Sequence, residues 1–61
     1  MDAGNTGAYL AALRKARGMT QQEAADQLGV SNKTVSKWEN GAGLPDITVL
    51  PALAELYGVT A

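Results

Sequence analysis

Residues 20–41, TQQEAADQLGVSNKTVSKWENG, contain two short amphipathic segments separated by one glycine. Thr20 and Ser31 precede the two segments, and both residue types are favoured at the N-caps of helices. Glu23 follows Thr20 by three residues, which is the capping-box pattern. Gly29 lies where the first segment must end in a left-handed conformation. The stretch therefore predicts two helices joined by a tight turn, at about 21–28 and 32–40.

Small and apolar side chains in this stretch predict that the two helices pack closely together. Ala25 is small enough to let the second helix approach, while Val35 and Trp38 fall on one face of that helix. Trp38 could in principle stack on a nucleobase, but its position predicts a core residue. The opposite, solvent-facing side of the second helix carries polar residues: Asn32, Lys33, Ser36 and Lys37. This arrangement, at about 21–40, is a helix-turn-helix, a motif that usually contacts the DNA major groove.

The composition limits the classes of protein and site. With 61 residues the chain forms one small domain, and it contains neither cysteine nor histidine. Disulfides, thiolate metal sites and the commonest general base are therefore excluded, and we expect no metal and no cofactor. No apolar run approaches the roughly 18 residues that span a bilayer, and the N-terminus does not resemble a signal peptide. We expect a soluble, cytoplasmic protein without a membrane association.

The charge distribution is more informative than the net charge of −1, which by itself argues mildly against nucleic acid. All five basic residues lie within residues 14–37 together with two acidic ones, so this segment carries a net charge of +3. From Trp38 onward there are three acidic residues and no basic ones. A molecule with one basic face can bind phosphates, weakly and with a strong dependence on salt.

The N-terminal part of the chain predicts a short tail and one helix. Residues 1–5 lack periodicity and are expected to form a flexible tail ahead of a domain covering residues 6–61. Apolar residues spaced by three predict a helix over 6–17; they are Leu10, Leu13 and Ala16.

A last helix is predicted at about 47–57, with Asp46 as its N-cap and Gly58 as its end. Proline in a helix interior removes a hydrogen bond and clashes with the preceding turn, and Pro51 would lie there. Either the first turn is distorted, with Thr48 as the effective cap, or the helix bends; the distorted first turn is favoured. Helical spacing also predicts the buried core: Leu10, Leu13, Ala25, Leu28, Val30, Val35, Trp38, Leu50, Leu53 and Tyr57.

Five sequence fragments together resemble the lambda-repressor-like family of helix-turn-helix regulators, which includes Cro and the XRE-type proteins. The fragments are Gly7-x-x-Leu10-x-x-Leu13-Arg14, Gly18-Met19-Thr20-Gln21, Gly29-Val30-Ser31, Val35-Ser36-Lys37-Trp38-Glu39-Asn40-Gly41 and Leu50-x-x-Leu53-Ala54-x-x-Tyr57-Gly58-Val59-Thr60. Each is weak alone, but their order and spacing are specific. The family fold is a compact bundle of five helices. Here the resemblance predicts an all-α bundle of four, truncated after Thr60, which looks like the N-cap of a fifth.

The resemblance implies a transcriptional regulator, usually a repressor, that binds double-stranded DNA at a pseudo-palindromic operator. A homodimer is expected to be weak in a chain of this length. Base contacts are implied for Asn32, Lys33, Ser36 and Lys37, although a merely solvated helix face would have the same polarity. Phosphate contacts are implied for Gln21 and Asn40, although Gln21 also suits the first turn of a helix and Asn40 is equally compatible with a C-cap. By their positions Thr34, Lys15 and Arg17 are lesser candidates, and solvated surface charge is favoured for the two basic residues. Arg14 and Glu39 match an ion pair that joins the first and third helices in relatives.

Two other functions compete with DNA binding. The first is a protein-interaction module, such as an antitoxin-like partner, which the acidic composition permits. An apolar outer face on the second helix of the motif would favour that function, whereas its lysines and asparagine favour DNA. The second is an enzyme, because Glu23 and Asp26 share a helix face as paired catalytic carboxylates do. No nucleophile or metal set accompanies them, so we expect a solvated face and no catalysis.

Overall fold

The computed structural model describes residues 3–58, and it is helical throughout its regular parts, without a strand in that range. The all-α class is therefore confirmed, with four helices among the described residues. Their bounds are α1 Ala3–Ala16, α2 Gln21–Leu28, α3 Asn32–Glu39 and α4 Leu50–Tyr57.

Local hydrogen bonds explain why α2 and α3 begin where the sequence predicts. The Thr20 hydroxyl accepts from the Glu23 backbone N–H at 3.1 Å, and the Glu23 carboxylate accepts from the Thr20 N–H at 2.8 Å. The Ser31 hydroxyl likewise accepts from the Thr34 N–H at 3.2 Å. Both caps satisfy amide groups that have no partner inside their own helix. Gly29 then ends α2 in the left-handed conformation, with φ of 72°.

The predicted end of α3 is one residue too late. Asn40 is the C-cap and has right-handed backbone angles, whereas the left-handed residue is Gly41, with φ of 76°. Gly41 therefore follows the cap by one residue, which is the usual place for a helix-ending glycine.

The prediction of an N-terminal tail was wrong for residues 3–5, because α1 begins at Ala3 instead of residue 6. The prediction relied on apolar periodicity, which indicates which residues of a helix are buried. An exposed first turn can be helical without that periodicity. The helix also ends at Ala16, one residue earlier than predicted, and Ala16 is exposed. Met1 and Asp2, the rest of the predicted tail, lie outside the described residues.

The start of α4 follows the favoured prediction of a distorted first turn. Residues 47–49 form a separate turn, and the Asp46 carboxylate caps that turn by accepting from the Thr48 N–H at 3.0 Å. The helix itself starts at Leu50, with Val49 at the N-cap position and no side-chain cap, so Thr48 is not the cap. Pro51 consequently lies in the first turn, where its missing N–H is not needed.

The buried core is formed by side chains of α2, α3 and α4, with α3 packed against α1 and α2, and α4 packed against α2. Its buried side chains are Ala24, Ala25, Val35, Trp38, Leu53 and Tyr57. Further apolar side chains pack against them and are partly buried: Leu10, Leu13, Met19, Leu28, Val30, Val49 and Leu56. The prediction that Leu50 is a core residue was wrong, since 45% of its surface is exposed. Leu50 is the first residue of α4 and lines a groove between α1 and α4 instead. Thr60, the predicted cap of a fifth helix, lies outside the described residues.

Candidate nucleic-acid interface

The third helix presents a polar outer face. Val35 and Trp38 are its buried residues, which leaves Asn32, Lys33 and Lys37 exposed on the other side. Two ammonium groups and one primary amide therefore project from a helix whose inner face is fixed by the core. Lysine and asparagine side chains of this kind can donate to base edges or to phosphates.

Two neutral side chains at the C-terminal end of this helix are hydrogen-bonded to each other. The Asn40 amide donates to the Ser36 hydroxyl at 3.2 Å, so the predicted base contact and the predicted phosphate contact lie one turn apart on the same row. The Thr34 hydroxyl lies 2.9 Å from the Ser31 hydroxyl, next to the N-cap. The structure thus places Ser36 and Asn40 together and assigns Thr34 a local contact at the start of α3.

The ion pair that the family resemblance implies is present. Arg14 Nε donates to Glu39 Oε2 at 2.8 Å, and Arg14 Nη2 donates to Glu39 Oε1 at 3.0 Å. A third donor, Arg14 Nη1, bonds the Met19 carbonyl oxygen at 2.7 Å. Only 11% of the arginine side chain and 6% of the glutamate side chain are exposed. Because Glu39 is the last residue of α3, this bidentate pair fixes the end of α3 to α1 and to the corner before α2.

Gln21 belongs to the same cluster, which sequence reasoning did not anticipate. Its Nε2 donates to Glu39 Oε1 at 3.0 Å, so that oxygen accepts from both Gln21 and Arg14. Gln21 is the first residue of α2. The only signal of this contact in the sequence was a glutamine that begins one helix and a glutamate that ends the next. Such a signal predicts a contact only when the angle between the two helices is known.

The electrostatics of the cluster favour its charged state. Burial would raise the pKa of the Glu39 carboxyl, but hydrogen bonds from Arg14 and Gln21 and the charges of Arg14 and Lys15 outweigh it, so the pKa lies below its usual value. The hydrogen bond to Glu39 raises the pKa of Arg14 in turn, against the opposing effect of burial. The pair is therefore ionised at neutral pH.

Gly7 brings the backbones of α1 and α3 together. A Cβ atom at this position would overlap the carbonyl oxygen of Trp38 and would lie 2.8 Å from that of Glu39. Gly7 is one of the residues that carry the family resemblance. No sequence pattern, however, indicates that α1 can approach the end of α3 because this residue has no side chain.

The remaining predicted cations lie outside α3. Lys15 is exposed on α1, and its charge acts on Glu39. The Arg17 guanidinium lies against Gly58, where a Cβ atom would be 3.3 Å from Arg17 Nη1. A cation at the C-terminus of α4 is favoured by the helix dipole, so Arg17 has a contact within the fold. Phosphate contacts by Lys15 and Arg17 stay predictions.

The two carboxylates considered for catalysis have local partners. Glu23 accepts from the Thr20 N–H, and Asp26 accepts from the Gln22 amide at 2.8 Å, one turn apart on α2. Within residues 3–58 no group of three or more potential metal ligands comes together. None of the helices in that range is long and apolar enough to cross a membrane.

Comparison with known proteins agrees with this architecture. A family model described as helix-turn-helix matches residues 10–61, which include the capped pair α2 and α3. The chain belongs to the XRE-type helix-turn-helix family. Transcription regulation through DNA binding is the activity associated with that family, and the family resemblance inferred from the sequence fragments is confirmed.

Two regulators are similar to this member of the helix-turn-helix family. The transcriptional activator BcrR of Enterococcus faecalis is 40% identical over 48 residues, which cover 79% of this chain and 24% of that protein. The prophage-derived transcriptional regulator YonR of Bacillus subtilis strain 168 is 35% identical over 54 residues, which cover 88% of this chain and 50% of that protein. The chain thus spans about a quarter of the length of BcrR and about half of the length of YonR.

Proposed function

We propose that this helix-turn-helix domain binds double-stranded DNA in a sequence-specific manner, with α3 in the major groove. The observation that carries the proposal is the outer face of α3, where Asn32, Lys33 and Lys37 are exposed while the end of the helix is held by Arg14 and Glu39. A helix that presents polar side chains on its outer face can lie in the major groove with those side chains against base edges.

The contacts divide by chemistry into two groups. Asn32 can donate to and accept from adenine, and Lys33 and Lys37 can donate to guanine; Ser36 completes the group that faces the bases. Phosphate contacts are proposed for residues around it, where a donor fixes register without carrying sequence information. These residues are Gln21, Asn40, Thr34, Lys15 and Arg17.

The proposed target is an operator with two related half-sites, bound by two copies of the domain. In helix-turn-helix proteins such half-sites lie about 34–36 Å apart, one turn of DNA. The sequence interpretation as a repressor stays a prediction, and the relative BcrR is named as an activator. A DNA-binding domain of this kind can belong to an activator or to a repressor, because activation and repression differ in what lies beside the bound operator. Since both relatives come from bacteria, the proposed place of action is the cytoplasm of a bacterial-type cell.

Replacing Lys33 with alanine tests the division between base and phosphate contacts. We expect Lys33→Ala to weaken binding to a preferred duplex by about 1–3 kcal/mol and to relax the preference at one base pair. Lys15→Ala removes the same charge from α1 and is the matched control. It is expected to weaken binding to preferred and unrelated duplexes equally and to reduce the salt slope by about one unit. Titrations of labelled duplexes at several salt concentrations measure both effects. Equal losses on both duplexes for both variants would contradict the base contact.

A protein-interaction module is the second candidate function, and one observation favours it. An open apolar groove of ≈ 250 Å³ lies between α1 and α4, and exposed Tyr9 and Leu50 are among its lining residues. This groove is separate from the outer face of α3, which is polar. A protein partner would therefore use a different surface from the one proposed for DNA.

A further inference from the structure

We propose that Gln21 is a positioning residue that couples a phosphate contact at the start of α2 to the orientation of α3, acting through Glu39. This inference rests on the proposed DNA binding and assigns Gln21 a role beyond a phosphate contact. The hydrogen bond from Gln21 Nε2 to Glu39 Oε1, at 3.0 Å, carries it.

This bond joins the two ends of the helix-turn-helix. Gln21 is the first residue of α2 and Glu39 is the last residue of α3, eighteen positions later in the chain. The turn between the helices fixes them at one end only. At the opposite ends Arg14 joins Glu39 to the corner before α2, and the Gln21 bond adds a direct connection between the two helices, which limits rotation of α3 relative to α2.

The chemistry of the amide permits both roles at once. A primary amide has two N–H donors, and Glu39 accepts from one of them. The second can donate to a phosphate oxygen at the N-terminus of α2, where the helix dipole also favours an anion. Because the Glu39 carboxylate is itself held by two bonds from Arg14, it provides a fixed acceptor that orients the glutamine.

The neighbouring glutamine provides a matched comparison. Gln22 is exposed and donates to Asp26 Oδ1 at 2.8 Å, within α2. It has the same side chain in the same helical turn, but its bond does not connect α2 to α3. A coupling role therefore belongs to Gln21 and not to Gln22.

The expected consequence is a loss of sequence discrimination. Base contacts depend on the position of α3, whereas phosphate contacts contribute equally to every sequence. If Gln21 only contacted phosphate, its removal would weaken binding to all duplexes by the same factor. If it also orients α3, its removal weakens the preferred duplex by a larger factor than an unrelated one.

The test compares Gln21→Met with Gln22→Met, since methionine keeps the length of the side chain and removes its hydrogen-bond donors. Affinities for the duplex preferred by the unaltered protein and for a scrambled duplex are measured well below the unfolding temperature of each variant. We expect the ratio of the two affinities to fall about fivefold in Gln21→Met, the lower end of what one base contact contributes. We expect the ratio to be unchanged in Gln22→Met.

An equal loss on both duplexes in Gln21→Met would overturn the positioning role and leave the phosphate contact in place. An unaltered protein that prefers no duplex would overturn the proposed function and this inference together. The two failures are thus distinguishable, because the first appears only in the variant.

A second measurement tests the bond without DNA. The NMR shift of the Glu39 carboxyl carbon is followed during an acid titration of the isolated chain. The bond from Gln21 helps to hold the pKa of this carboxyl below its usual value. We expect the midpoint to move to higher pH in Gln21→Met and to stay in place in Gln22→Met. An unchanged midpoint in Gln21→Met would overturn the inference.

Discussion

Replacing Gly7 with alanine is expected to remove most of the free energy of unfolding of this domain. Glycine within a helix normally costs about 1 kcal/mol relative to alanine, so an alanine there would ordinarily be stabilising. At this position the added Cβ would overlap the carbonyl oxygen of Trp38 and lie 2.8 Å from that of Glu39. Both obstacles are backbone atoms of α3, which cannot move aside as a flexible side chain can. The helices must therefore separate, at a cost of about 3 kcal/mol.

A loss of that size is large for a domain this small, whose core rarely contributes a net stability above about 3–5 kcal/mol. Urea unfolding followed by the fluorescence of Trp38, the single tryptophan, measures it. Ala12→Gly, the reverse exchange at an exposed position of α1, is the control. It should cost only the ordinary helix propensity of about 1 kcal/mol. A Gly7→Ala variant as stable as the unaltered protein would show that α1 does not approach α3 in this way.

Removing the carboxylate of Glu39 is expected to destabilise the domain by a similar amount. Glu39→Ala leaves the nearly buried Arg14 guanidinium without its carboxylate and the Gln21 amide without its acceptor. Breaking a buried pair by removing one partner costs about 3–5 kcal/mol, because a charge stays buried without compensation. We expect a loss of about 3 kcal/mol, at the lower end of this range, since Arg14 keeps its bond to the Met19 carbonyl. Glu55→Ala, which removes an exposed carboxylate from α4, is the matched control and should change the stability little.

The same pair predicts how stability depends on pH. The pKa of Glu39 is lower in the folded protein than in the unfolded chain, so its contribution is complete above the unfolded value of about 4.3. That contribution is lost as the pH falls from this value through the folded pKa. The difference in unfolding free energy between the unaltered protein and Glu39→Ala should therefore be constant near neutral pH and shrink below about pH 4. A difference that grows on acidification would contradict the assignment.

The parts of the fold that the sequence predicted correctly depend on neighbouring residues. Thr20 and Glu23 form a capping box within one turn, and Gly29 ends the helix that they begin. Such signals need no knowledge of the rest of the chain. The start of α4 was harder, because Pro51 is compatible both with a bend inside a helix and with a first turn. Only the separate turn capped by Asp46 decides between the two.

The candidate interface was predictable in its residue types but not in its internal bonds. The polar row on α3 follows from helical periodicity once Val35 and Trp38 are assigned to the core. The contacts of Gln21 with Glu39, and of Gly7 with the backbone of α3, join residues far apart in the chain. They depend on the angles at which α1, α2 and α3 cross, and periodicity carries no information about those angles. The exposure of Leu50 escaped prediction for the same reason, since helical spacing does not show whether a neighbouring element covers a residue.

The central claim is that this helix-turn-helix domain recognises a DNA sequence through the outer face of α3. The most direct test is a titration with a randomised duplex library at low salt, followed by sequencing of the bound fraction. The account predicts an enriched motif of a few base pairs, and loss of that enrichment on replacing Asn32 or Lys33 with alanine. Binding without any enriched sequence, or enrichment that survives both replacements, would contradict it.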